Sequence, residues 1–220
     1  MTRLRFVTTI CGLSTTLAAC GGPSAGGPTA PGTLAPGGPT ADAAVSALAF
    51  NGTWRTMPSL LPARWRHAGD VLGKSIVVVG GLSGSELEAL SRVDAFNVET
   101  RTWTALKSLP IPLYDVNGAT PVQGKLYVSG GRSSPDEDCA KTLFVYDPAT
   151  DSWTRKADMP LKGCVGVQAH VLGQLYVYTF PQSPPDIRLF ASYNPKTDKW
   201  VRRPLPKGLH FAYPVAGAIQ

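Results

Sequence analysis

Gly124-Lys125-Leu126-Tyr127-Val128-Ser129-Gly130-Gly131, followed after a spacer by Leu143-Phe144-Val145-Tyr146-Asp147-Pro148-Ala149-Thr150-Asp151-Ser152-Trp153, is the stretch on which the fold turns. Short apolar and aromatic runs bounded by Gly, Pro and Asp are the pattern of β-strands. Asp147-Pro148 is turn chemistry, and a double glycine marks a strand end where a Cβ would clash or a positive φ is needed. The pattern recurs. Upstream stands Gly73-Lys74-Ser75-Ile76-Val77-Val78-Val79-Gly80-Gly81, and downstream Gly173-Gln174-Leu175-Tyr176-Val177-Tyr178, which lacks the double glycine. Turns matching the one at Asp147 begin at Asn97 and Asn194, and Trp54, Trp103, Trp153 and Trp200 are separated by 49, 50 and 47 residues. Each Trp is followed by a proline: Met57-Pro58, Leu109-Pro110, Met159-Pro160 and Leu205-Pro206. A repeat near this period means units that bury their faces only against neighbours.

Four short strands per unit are the pattern of one propeller blade. Over residues 52 to 220 the chain resembles the kelch repeat: a β-rich run ending in Gly-Gly, an aromatic strand, a turn and a Trp strand. The resemblance implies an all-β, kelch-type β-propeller of about three and a half encoded blades, since Trp54 reads as a lone fourth strand and residues 212 to 220 as the start of a further blade. Such a chain is expected to be a truncated frame, to be completed by a second chain, or to keep open edges that invite association. Kelch relatives include galactose oxidase and a periplasmic N-acetylneuraminate epimerase, so a carbohydrate-active enzyme is the alternative reading. The copper ligands of the first cannot be placed here, and for the second only Arg64 and Arg66 are available, without a clear Glu. The resemblance therefore favours a binding module for protein or glycan, with no cofactor.

Outward to the N-terminus, Arg3 and Arg5 precede an uncharged, mostly apolar run from Phe6 to Ala19. The run is shorter than the about 20 residues a membrane span needs and suits a secretory signal. Leu17-Ala18-Ala19-Cys20 resembles a bacterial lipobox. That resemblance implies a signal peptide over 1–19 and an acylated Cys20 that binds the lipid bilayer, placing the protein at the bacterial cell envelope. Residues 21 to 40 hold seven Gly and five Pro with no charge, so 20–50 is expected to be a lipidated linker and 51–220 the propeller region.

The 220 residues are 43% hydrophobic and 16% charged, enough apolar material for one core. The net charge of +6 comes from scattered Lys and Arg with no basic block, so no nucleic-acid partner is expected. With Cys11 in the signal and Cys20 at the anchor, Cys139 and Cys164 remain as a pair. In a propeller both fall on one face, where a disulfide would tie adjacent blades. No zinc spacing is present, and the acidic loop Asp136-Glu137-Asp138 lacks regular calcium-ligand spacing. Counting back nine residues from Gly73, Gly124 and Gly173 reaches Arg64, Asp115 and Cys164, and counting back seven reaches Arg66, Asn117 and Gly166. Arg64, Arg66, Asp115 and Asn117, with His67 beside them, are the candidate binding residues, suited to an anionic or polyhydroxylated ligand.

Overall fold

The computed structural model describes residues 54–84, 87–180 and 189–205. The expected signal, Cys20, the expected linker and the expected strand near Val215 lie outside them. Every regular element among the described residues is a strand. Three four-stranded antiparallel sheets follow one another along the chain. The first has β2 (Ala68–Leu72), β3 (Ser75–Val79), β5 (Val93–Asn97) and β6 (Thr102–Leu106). The second has β7 (Gly118–Val122), β8 (Lys125–Ser129), β9 (Leu143–Asp147) and β10 (Ser152–Arg155). The third has β11 (Cys164–Val171), β12 (Gln174–Phe180), β13 (Leu189–Asn194) and β14 (Lys199–Arg202). A two-stranded ribbon of β1 (Arg64–Trp65) and β4 (Leu82–Ser83) extends the first. The sheets are propeller blades, and among the described residues they do not close a ring.

Local chemistry explains the strand ends. In the second and third blades the inner hairpin turns on Gln123-Gly124 and Leu172-Gly173, both residues at positive φ, as a two-residue I′ turn requires. Asn97, Asp147 and Asn194 open the outer turns, with side-chain oxygens accepting backbone N–H groups of Glu99, Ala149 and Lys196 at 2.9, 3.0 and 2.9 Å. The double glycine has a steric cause. A Cβ on Gly80 would lie 2.1 Å from the Leu113 carbonyl oxygen, and one on Gly130 would lie 2.1 Å from that of Gly163. In each case the next blade's incoming backbone passes over the glycine. In the third blade Thr179 takes that place, and its hydroxyl lies 2.7 Å from Asn117 Oδ1 and 3.2 Å from the Cys164 carbonyl.

Among the described residues the core consists of two interfaces between blades. Val77, Val79, Val93 and Ala95 of the first blade pack against Leu126, Val128, Phe144 and Tyr146 of the second. Val122, Tyr127, Leu143 and Val145 on the opposite face pack against Leu175, Val177, Ala191 and Tyr193 of the third. Leu126 and Leu175 are fully buried, and each such side chain contributes ~1.5–3 kcal/mol relative to exposure.

The tryptophans do more than fill space. Trp103, Trp153 and Trp200 each lie 5.1 Å from an aromatic neighbour on the same sheet, Phe96, Tyr146 and Tyr193. Each indole N–H donates to a carbonyl one blade back, those of Pro58, Lys107 and Ala157, all at 2.8 Å. A carboxylate completes the clip in two blades. Asp151 Oδ1 accepts from the Lys107 N–H and the Tyr146 hydroxyl, and Asp198 Oδ1 from the Ala157 N–H and the Tyr193 hydroxyl. In the first blade the corresponding partner is Pro58, which has no N–H to give, and there the carboxylate and hydroxyl are replaced by Arg101 and Phe96. The fourth strand expected around Trp54 does not form: residues 54 to 60 adopt no strand and Trp54 is exposed. Pro58 nonetheless supplies the carbonyl that Lys107 and Ala157 supply just after the fourth strands of the first two blades.

Candidate functional site

Each innermost strand is interrupted by a bulge where it enters the blade. Arg66, Asp115 and Val165 occupy these bulges at φ of 54, 50 and 55°. Their backbones are chained: the Asp115 N–H donates to the Arg66 carbonyl at 3.1 Å, and the Val165 N–H to the Asp115 carbonyl at 2.9 Å. The bulges differ in length. Arg66 and His67 separate Trp65 from Ala68, whereas Asp115, Val116 and Asn117 separate Tyr114 from Gly118. The inner turns differ as well, with glycine first in the first blade and second in the others. Counting back a fixed number of residues therefore misregisters the blades: the equivalent residues are Arg66, Asp115 and Val165, and Arg64 and Asn117 belong to other positions.

Arg66 and Asp115 meet. The guanidinium binds both carboxylate oxygens of Asp115, the fork geometry to which arginine is suited. Its carbon also lies 5.5 Å from the Trp65 ring centroid and 5.1 Å from that of Tyr114, within cation–π range. The Arg66 side chain is 34% exposed and Trp65 46% exposed, whereas the Asp115 side chain and Tyr114 are buried behind them, so Arg66 and Trp65 are the solvent face of the cluster at the rim.

Arg64 and Asn117 are buried instead. Arg64 lies wholly out of solvent with a nitrogen 2.7 Å from Asp94, itself 2% exposed, and Arg92 shares the same carboxylate. Arg64 Nε and Nη1 have no hydrogen-bond partner among the described residues. His67 stands close by and is exposed on one side; its partial desolvation, with the Arg64 charge adding to it, holds its pKa below the ordinary imidazole value. Asn117 joins the second and third blades: its Oδ1 faces the Thr179 hydroxyl, and its Nδ2 lies 3.4 Å from Ser129 Oγ, which donates to Gln168 Oε1 at 2.7 Å. Cys139 and Cys164 form a disulfide with Cα atoms 5.4 Å apart, joining the loop before β9 to the start of β11. Asp138 of the acidic loop pairs with Lys162 at 2.8 Å. Among the described residues no three His, Cys, Asp or Glu side chains converge as metal ligands.

Below the rim, the innermost strands of the three blades border a cleft of about 340 Å³. Asp70, Asn117, Thr120 and Gln168 contribute its polar side chains, beside Ala68, Gly69 and Val167. The sequence pointed to the rim through Arg66 and Asp115 but missed Trp65 and Tyr114, whose pairing with Arg66 depends on the bulge, and missed Gln168, which reads as one more strand residue.

The family model for the kelch motif matches residues 64–110 and 117–160. The chain is 32% identical over 173 residues to the Kelch-like protein terF of Aspergillus terreus, covering 70% of this chain and 38% of that protein. It is 30% identical over 157 residues to human Kelch-like protein 34 (70% and 24% covered), and 30% identical over 162 residues to human Kelch repeat and BTB domain-containing protein 13 (70% and 34% covered). The chain thus spans between 24% and 38% of the length of these curated relatives. Among solved structures it resembles that of YjhT, with a TM-score of 0.56 and 18% identity over 73% of this chain and 56% of that one. That likeness concerns the fold.

Proposed function

We propose that this kelch-motif chain is a protein-interaction module, held at a bacterial cell envelope by lipid on Cys20, that presents the rim around Arg66 to a protein partner. The observation that carries the reading is the Arg66 cluster. A guanidinium clasped by Asp115 and bracketed by Trp65 and Tyr114 is held in place before any partner arrives, which lowers the entropy lost on docking. Trp, Tyr and Arg are also the residues enriched at binding hot spots. Arg66 spends Nε and Nη2 on Asp115, so Nη1 remains for an acidic side chain of the partner while an apolar neighbour packs on Trp65. Kelch motifs shared with the Kelch-like relatives support a protein partner.

Site-specific photo-crosslinking tests the rim. A photoreactive residue in place of Trp65 is expected to yield one discrete adduct in envelope fractions, lost with Arg66→Ala, while the same residue in place of the exposed Lys196 yields none. Equal adducts from both positions, or adducts that ignore Arg66→Ala, would refute the rim as the docking surface. The anchor is tested separately. Cys20→Ser is expected to leave an unprocessed precursor that no longer partitions into detergent, and full lipidation of that variant would refute the tether.

A further inference from the structure

The cleft between the innermost strands is chemically unlike the rim. Its strands β2, β7 and β11 are each the terminal strand of their sheet, so the backbone N–H and C=O groups facing the cleft belong to no ladder. Gln168 is 9% exposed and locked: its Oε1 accepts from Ser129 Oγ and its Nε2 donates to the Tyr127 carbonyl, both at 2.7 Å. A carboxamide nitrogen carries two hydrogens, which leaves one. Thr120 is 7% exposed, and its hydroxyl makes no hydrogen bond among the described residues. Asp70 Oδ1 accepts the N–H of Val71 at 2.7 Å, and its Oδ2 has no partner among the described residues. Donors and acceptors left unspent on a rigid wall are a binding inventory, open to a ligand as they are to water.

We propose that this cleft binds a neutral polyhydroxylated molecule the size of one or two sugar rings, with Asp70 accepting from a pair of adjacent hydroxyls, and Thr120 and the spare Gln168 hydrogen completing the contacts. The volume of about 340 Å³ sits at the lower end of small-molecule sites, roughly 300–1,000 Å³. Charge decides the class. Asp70 is the one acidic or basic side chain among the lining residues, so a carboxylate or phosphate would find no cation there to pair with. The site is separate from the rim and does not depend on the partner proposed there.

Saturation-transfer NMR with the full chain in detergent micelles tests this, using methyl mannoside and methyl galactoside as neutral probes, glucosamine as a cationic one, and glucuronate as an anionic one. The expected result is transfer to at least one neutral glycoside and none to glucuronate. Asp70→Asn should weaken that binding by about tenfold or more, since it removes a charged acceptor. Thr120→Val should weaken it severalfold and serves if Asp70→Asn does not fold. Arg66→Ala should leave it unchanged, so failure here and failure of the rim are told apart. No transfer to either neutral glycoside, binding of glucosamine alone, stronger binding of glucuronate, or affinity indifferent to both cleft substitutions would overturn the proposal.

Discussion

Asp94 sits where its sister blades are apolar. By register Asp94 opposes Val78, just as Phe144 opposes Val128 and Ala191 opposes Val177, so the first blade has accepted a buried carboxylate and answered it with Arg64. Removing one partner leaves the other charged and out of water. Asp94→Ala would strand an Arg64 side chain of 0% exposure that already has two nitrogens without partners, at a cost of about 3–5 kcal/mol. At about 2–4 °C per kcal/mol for a domain of this size, that is a loss of roughly 6–20 °C in Tm. Arg92, 44% exposed, turns to solvent and contributes little. The double variant Arg64→Leu, Asp94→Ala removes both charges and keeps apolar volume, so it should recover most of the loss, because replacing a buried pair by apolar groups is often neutral or better. Urea unfolding followed by circular dichroism, extrapolated linearly to water, measures the three proteins. A cost below about 1 kcal/mol for Asp94→Ala, or a double variant no more stable than the single one, would refute the argument.

Gly130→Ala should destabilise far more than Gly124→Ala, because both have positive φ but only at Gly130 would the Cβ meet a carbonyl, at 2.1 Å; equal melting temperatures would contradict the steric account. Asp151 is held below the usual carboxylate range by the Tyr146 hydroxyl and then the Lys107 N–H, and Asp198 by the Ala157 N–H and then the Tyr193 hydroxyl. A depressed folded pKa contributes stability above the unfolded value of about 4 that is lost as pH falls through the folded one, so Asp151→Asn with Asp198→Asn should flatten the acid limb of the stability curve. The tyrosines are shifted upward, by burial first and then by these aspartates, so Tyr146→Phe with Tyr193→Phe should flatten the alkaline limb above about pH 10. The disulfide should appear as a Cys139–Cys164 peptide in a non-reduced map; with the cysteines 25 positions apart in sequence, breaking it should cost about 3 kcal/mol, and free labelling of both thiols in the native, unreduced protein would exclude it.

The blade architecture was legible because each strand boundary carries its own local cause: the glycines of the inner turns, the Asn or Asp that opens each outer turn, and the double glycine under an incoming carbonyl. The site was legible only in part. Arg66 and Asp115 were reached through the repeat, but one extra residue in the second bulge and a shifted turn glycine broke the count, and nothing in residue type announces the length of a bulge. Asp94 looked like any polar strand residue, because alternation cannot distinguish an outward carboxylate from one buried against an arginine of another strand. The clip left a trace that pairwise reading would have found: Tyr146 with Asp151 and Tyr193 with Asp198, each five residues apart, against Phe96 with Arg101.

The chained bulges have a bearing on how such a rim diversifies. The hydrogen bonds that link Arg66 to Asp115 and Asp115 to Val165 run from main chain to main chain, and the three side chains are a cation, an anion and a branched alkyl group in the same left-handed conformation. Attachment is thus uncoupled from display. Evolution can exchange the residue shown at each bulge for another of different charge or size without dismantling the link that seats it, so drift at the rim alters what the surface recognises before it touches whether the blades assemble.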